Sequence, residues 1–204
     1  MKKKIITVCL LLSIISALAI GGTLAYFTDN ETKENVFVMG EVDIELTETE
    51  WTAPDKVYPG IAYDKNPVVK NVGDDAAWIR VDVTLSDAQA FITAAAKYEI
   101  DDLSVIFIGH DEQKWTLAEK NRDTAKDTLT YSYYYNDLLS ADASTEAIFT
   151  QVKIPGQFNV ADMAAIGDNF TITIQAHAMQ TADDYDTVQE AFDAYIFEAK
   201  VPLQ

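Results

Sequence analysis

The chain has 204 residues, of which 49% are hydrophobic and 11% aromatic. That suits one packed domain with appendages and is too apolar for global disorder. Fifteen Lys+Arg against 33 Asp+Glu give a formal net charge of −18, which excludes nucleic acid as a partner and disfavours docking on anionic lipid.

Residues 1–25 read as a secretory signal peptide. Lys2, Lys3 and Lys4 form a positive start, an apolar run covers 5–20, and Thr23-Leu24-Ala25 supplies the small residues of a cleavage site. The run falls short of the roughly 20 residues that span a bilayer, which disfavours a retained anchor. Cleavage is expected between Ala25 and Tyr26. It removes three lysines and no acid, so the formal charge deepens from −18 to −21. It also removes Cys9, the one cysteine, so neither disulfides nor multi-thiolate metal sites are available to the exported domain. Cys9 sits too early in the apolar run for a lipoprotein signal.

Residues 26–204 are expected to form a single β-sandwich domain, with 26–38 as an arm. Residues 41–46 alternate, placing Val42, Ile44 and Leu46 inward and Glu41, Asp43 and Glu45 outward. Pro54, Pro59-Gly60 and Pro67 mark a loop, and Gly73-Asp74-Asp75 a turn. Residues 77–85 alternate again, with Ile79, Val81 and Val83 inward and Trp78, Arg80, Asp82 and Thr84 outward. At Ser86 the period changes. Ser86 is the expected cap of a helix bearing Phe91, Ala94, Ala95 and Tyr98 on one face.

Short strands are predicted over 103–108 and 115–117, the latter entering a polar stretch over 119–127. Residues 128–135 form a strand with Tyr131, Tyr133 and Tyr135 on one side. Residues 148–154 place Ile148, Thr150, Val152 and Ile154 together, and Pro155-Gly156 turns the chain. The clearest alternation runs over 170–179, with Phe170, Ile172, Ile174, Ala176 and Ala178 inward. A helix is predicted over 187–194 with Val188, Ala191, Phe192 and Tyr195 as its stripe, then a last strand over 196–203. Seven to nine strands without regular strand–helix alternation predict a mainly β fold. The expected architecture is an antiparallel two-sheet sandwich of jelly-roll type with one or two short helical insertions.

Residues suited to catalysis are sparse. His110 and His177 are the only histidines, and neither opens an H-E-x-x-H motif. His110-Asp111-Glu112 lacks a second histidine four residues on, and His177 falls in an outward register that reads as solvated surface. No nucleophile elbow, Walker loop or dinucleotide-binding glycine motif is present. His110 and Glu112, and the run Asp183, Asp184 and Asp186, are the weak metal candidates, with calcium the ion the acidic loops would take. Asp101-Asp102 has the same character, although EF-hand spacing is absent. No catalytic residue is expected. The tyrosines from 131 to 135 can line a sugar-binding face, but such a stripe more often packs on a core.

The most specific feature is the N-terminal block. Gly21-Gly22-Thr23-Leu24-Ala25-Tyr26-Phe27-Thr28-Asp29, followed by Asn35-Val36-Phe37-Val38-Met39-Gly40-Glu41-Val42-Asp43-Ile44, resembles the start of TasA/camelysin-type exported proteins. Pro59-Gly60 leading to Val69-Lys70-Asn71-Val72-Gly73, then Trp78-Ile79-Arg80-Val81, extends the resemblance. So does Ile174-Gln175-Ala176-His177-Ala178-Met179-Gln180 near the end. Residues 98–147 carry no matching motif.

The resemblance implies processing by a SipW-type signal peptidase in a Gram-positive bacterium. It also implies a secreted jelly-roll subunit, in the extracellular matrix or at the cell surface, that self-associates into biofilm matrix fibres with minor matrix subunits as further partners. In such fibres the N-terminal segment of one subunit adds as a strand to the next. Here Phe27, Val36, Phe37 and Val38 would be the pocket-filling residues. Pairing of that segment within its own domain is equally allowed by the sequence. One branch of the family, camelysin, is described as a cell-surface metalloendopeptidase. The absence of a zinc-protease pattern argues against carrying that activity over. A monomeric secreted accessory protein is the third reading.

Overall fold

The computed structural model describes residues 37–39, 43–49, 56–167, 170–180 and 185–199, with the backbone alone at 37–39, 180 and 195–199. The signal-peptide expectation for 1–25 lies outside the described residues.

One layer is a five-stranded sheet ordered β1 (Phe37–Met39), β10 (Ile172–Gln180), β5 (Ala77–Leu85), β8 (Thr128–Tyr135) and β7 (Trp115–Asp123). Where two sheets were expected, the second layer is split. One part pairs β2 (Ile44–Glu48) with β4 (Pro67–Asn71), and the other orders β3 (Ala62–Asp64), β9 (Gln151–Lys153) and β6 (Phe107–Ile108). Every described pairing between strands is antiparallel except β1 with β10, which is parallel.

The core lies between the layers, as the period-2 patterns require. Ile79, Val81, Val83 and Leu85 of β5 face inward beside Tyr131 and Tyr133 of β8 and Ile174, Ala176 and Ala178 of β10, all buried. Phe107 joins the layers, stacking on Phe149 at 4.7 Å and meeting Tyr131 edge-on at 5.9 Å. The tyrosine stripe is therefore core and not a sugar-binding face. Asn71, at the end of β4, is the polar pin of the two-stranded sheet. Wholly buried, it donates to the carbonyls of Asp75 and Leu139 and accepts the Gly73 N–H. Asn71→Ala is expected to cost about 2 kcal/mol by stranding those groups, read as a lower urea midpoint.

Among the described residues three α-helices complete the fold: α1 (Ala88–Ala96), α2 (Val160–Ile166) and α3 (Val188–Ala199). Phe91 of α1 packs on Phe158 and Phe170 at 5.3 and 5.2 Å. Ser86 does not cap α1. Asp87 is the cap residue, held in the left-handed region at φ 47° with no side-chain cap of its own. The cap comes instead from Asp127 in the β7–β8 turn, whose carbonyl accepts the Ala88 N–H and whose carboxylate accepts that of Gln89. Ser86 Oγ accepts the Thr171 N–H, tying β5 to the approach of β10.

Several element boundaries differ from expectation. Leu103–Ile106 is a 3₁₀ helix and only Phe107–Ile108 is strand, because the Asp102 carboxylate accepts the Ser104 N–H and turns the chain. The polar stretch after Trp115 continues as β7 to Asp123. Ladder pairing in the 148–154 region is confined to Gln151–Lys153, with Ile148 and Phe149 both buried and Thr150 exposed. Residues 62–64 form a strand inside the expected loop. Helix α2 was not expected, although Asn159 and Asp162 three residues apart form a capping box. Residues 196–199 extend α3 and are not a strand; 200–204 lie outside the described residues.

Candidate functional site

The two edges of the five-stranded sheet are protected differently. Strand β7 carries Glu119, Lys120, Arg122 and Asp123, and its ladder shifts register between Leu117 and Glu119. Charges and a bulge of this kind deter further strand pairing. Strand β10 reads Ile-Thr-Ile-Gln-Ala-His-Ala-Met-Gln and holds no Asp, Glu, Lys or Arg. Its β5 side is paired at all nine positions. On its other side β1 covers three, matching Phe37 to His177, Val38 to Ala178 and Met39 to Met179. Among the described strands none pairs with 172–176 along that edge.

The outer face of the sheet divides into an apolar and a polar half. Trp78, Tyr134 and Met179 point away from the main core yet are buried, because α3 lays Val188, Ala191 and Phe192 over them, with Tyr134 stacked on Phe192 at 5.5 Å. Beside them lies a charged network. Arg80 Nε donates to Asp82 Oδ1 at 2.9 Å and Arg80 Nη2 to Ser132 Oγ at 3.0 Å, while His177 Nε2 lies 3.2 Å from Asp82 Oδ2. Burial works against the Asp82 charge, but hydrogen bonds from His177 and Ser132 and the Arg80 charge outweigh it and hold the carboxyl at about 2. His177 is thus not the solvated residue its register suggested: its side chain is 18% exposed. Period-2 alternation had put Arg80, Asp82 and His177 outward, but the register that makes them neighbours was not readable from one chain.

His110 lies on the other face. Its ring packs on Tyr133 at 5.0 Å, and Tyr133 pairs with inward-facing Val81, whereas His177 pairs with outward-facing Arg80. The sheet therefore stands between the two histidines. His110 Nδ1 is 2.8 Å from the Ile148 carbonyl oxygen. A carbonyl only accepts, so Nδ1 is the donor in this contact. His110 and Glu112 line one groove of about 450 Å³ with Ser104, Val105 and Leu117.

Asp183 and Asp184 lie outside the described residues. Asp186 is exposed, and its N–H donates to Glu190 Oε2 at 3.2 Å. Asp102 is engaged by the Ser104 N–H, the Tyr131 hydroxyl at 2.7 Å and Lys120 Nζ at 3.1 Å. These contacts outweigh its partial burial and hold its carboxyl at about 2. Among the described residues no group of three or more His, Cys, Asp or Glu is placed to hold a metal ion. Of the expected processing and strand-donor residues, Ala25, Tyr26, Phe27 and Val36 fall outside the described residues, while Phe37 and Val38 form β1. Among the described residues no helix is long and apolar enough to cross a membrane.

No curated protein and no solved structure matches the chain. A family model described as camelysin metallo-endopeptidase matches residues 1–103, which take in the N-terminal block, the Pro59-Gly60 turn and the whole of β5. With half of its length matched, the chain belongs to the camelysin metallo-endopeptidase family.

Proposed function

We propose that the protein is an exported structural subunit that self-associates into extracellular fibres by donating its N-terminal strand to a neighbouring copy. The observation that carries this reading is the parallel strand β1 at the β10 edge. It covers three of nine positions on an edge without Asp, Glu, Lys or Arg, while the opposite edge bears charges and a bulge. An uncharged edge along which no described strand pairs with 172–176 can accept a further strand, and a terminal segment can supply it in the same copy or in the next. Head-to-tail exchange that does not close on itself produces a filament. In this reading a SipW-type peptidase cuts between Ala25 and Tyr26, the product lies in the matrix or at the cell surface of a Gram-positive bacterium, and minor matrix subunits and calcium modulate assembly.

The test compares the chain starting at Tyr26 with one lacking 26–38. The intact chain should form filaments by electron microscopy, and the truncated chain should stay monomeric, keep its circular dichroism spectrum and bind a synthetic 26–38 peptide. Filaments from the truncated chain, or monomers from both across pH and calcium, would refute the reading.

The family description supports a second reading, a metallo-endopeptidase. The residues do not fit a two-histidine zinc centre. The matched stretch 1–103 contains no histidine, and His110 and His177 stand on opposite faces of the sheet. Chelator-sensitive casein cleavage, lost in His110→Ala or His177→Ala, would establish the peptidase over the structural reading.

A further inference from the structure

Away from the strand edge, two shallow grooves meet at one residue. The first, about 480 Å³, is lined by Glu99, Asp101, Asp102, Val105, Ile108 and Lys153, with Pro155 and Gly156 also at its wall. The second is the 450 Å³ groove of His110 and Glu112, and Val105 belongs to both. Val105 is 53% exposed, Ile108 39% and Leu117 42%. Val105 stands on the 3₁₀ helix and lines both grooves, Ile108 lines the first and Leu117 the second, so the three supply an exposed apolar strip. The strip continues past Gly156, because the Gly60 turn abuts it. A Cβ at either glycine would come within 3.4 Å of the other's Cα, and exposed Tyr58 and Ile61 flank Gly60. Solvent-facing apolar side chains grouped in this way mark an interaction surface more often than isolated ones do.

The charges around the strip define its occupant. Glu99 and Asp101 stand on one side of Val105 and Glu112 on the other; Asp102 is already paired with Lys120, and Lys153 is the one Lys or Arg among the lining residues. Glu99 is held there at φ 59°, a left-handed backbone that a glycine would adopt more cheaply. The chain's own arm is the wrong ligand, since Asp29, Glu31 and Glu34 outnumber Lys33 across 26–38. A second copy is opposed by the same sign of charge on both partners.

We infer that this double groove docks an extended segment of a basic partner protein, with lysine or arginine between apolar side chains. The apolar residues sit on Val105, Ile108 and Leu117, and the cations lie against Glu99, Asp101 and Glu112. This surface is separate from the strand edge and does not depend on fibre formation.

The probe is a short capped peptide alternating Lys and Val, titrated calorimetrically into the intact protein, with Ser–Val and Glu–Val peptides of equal length as comparisons. The Lys–Val peptide should bind with a dissociation constant of about 10 μM, weakening about tenfold at high salt. Val105→Lys and Asp101→Asn, both at exposed positions, should each weaken it severalfold. Glu45→Lys, on the separate two-stranded sheet, should leave it unchanged. Equal weakening by Glu45→Lys would reduce the effect to general attraction of a polycation to an acidic protein. Equal binding of the Ser–Val peptide would remove the charge argument, and absence of Lys–Val binding would overturn the proposal. Self-association abolished by Val105→Lys in sedimentation would assign the strip to a second copy and also overturn it.

Discussion

Trp115→Ala is expected to destabilise the fold by about 3–5 kcal/mol, the range for deleting a large buried aromatic. Trp115 begins β7, is 1% exposed, and packs on Tyr135 at 5.0 Å with its ring plane tilted by 56°. Its Nε1 donates to the Glu146 carbonyl at 3.0 Å, linking the sheet edge to the loop before β9. Truncation therefore opens a cavity and leaves a carbonyl unpaired. Trp115→Phe keeps most of the volume and loses the hydrogen bond, so its cost should be about 1–2 kcal/mol. Urea denaturation followed by circular dichroism separates the two. Equal midpoints for Ala and Phe would mean that the hydrogen bond, and not the packing, is what Trp115 contributes.

The second large effect is acid sensitivity centred on Asp82. Its carboxyl titrates at about 2 in the folded protein against an ordinary 3.8. A lowered folded value means that the native state prefers the ionised form. The stabilisation is complete above about pH 4 and is lost as the pH falls through 2, amounting to roughly 2 kcal/mol. With an 18% exposed side chain, solvent screens this contribution little. Asp102 is also held at about 2 and acts in the same window, but its greater exposure makes it the smaller contributor. Urea midpoints measured from pH 6 down to pH 2.5 should fall steeply below pH 4 in the wild type. Asp82→Asn should lower the midpoint at pH 6 and flatten the slope below pH 4. An unchanged slope in Asp82→Asn would show that other carboxylates govern the acid limb.

Where one face of a strand meets the core, the residue pattern was sufficient. Strand β5 runs from Ala77 to Leu85 and β8 from Thr128 to Tyr135, as alternation and β-propensity predict, because a one-residue slip in either would expose its entire apolar face. Trp78 reads as outward and does point away from the main core, yet α3 buries it together with Tyr134. That covering comes from a helix over a hundred residues beyond Trp78, which no local pattern around Trp78 announces. The cap of α1 was misplaced for a similar reason. Ser86 is the best local candidate, and a carboxylate from a distant turn took its role.

The candidate sites follow the same division. The family was legible in the N-terminal block, since the residues that carry the resemblance are contiguous in the chain. The docking strip was not, because Tyr58, Val105, Ile108 and Leu117 are separated by loops and share no period. The His177–Asp82 contact also escaped, being diagonal across two strands whose register no local signal sets.

The sequence by itself determined an acidic chain, its family, a mainly β fold and the inward faces of its principal strands, because composition and period-2 patterning act locally. Only the tertiary structure decided which edge of the large sheet is charged and which is covered by the N-terminal strand. It alone placed the two histidines on opposite faces of that sheet. Strand order and register arise from contacts between distant segments, whose free energy depends on the whole packed core and on no single stretch of residues.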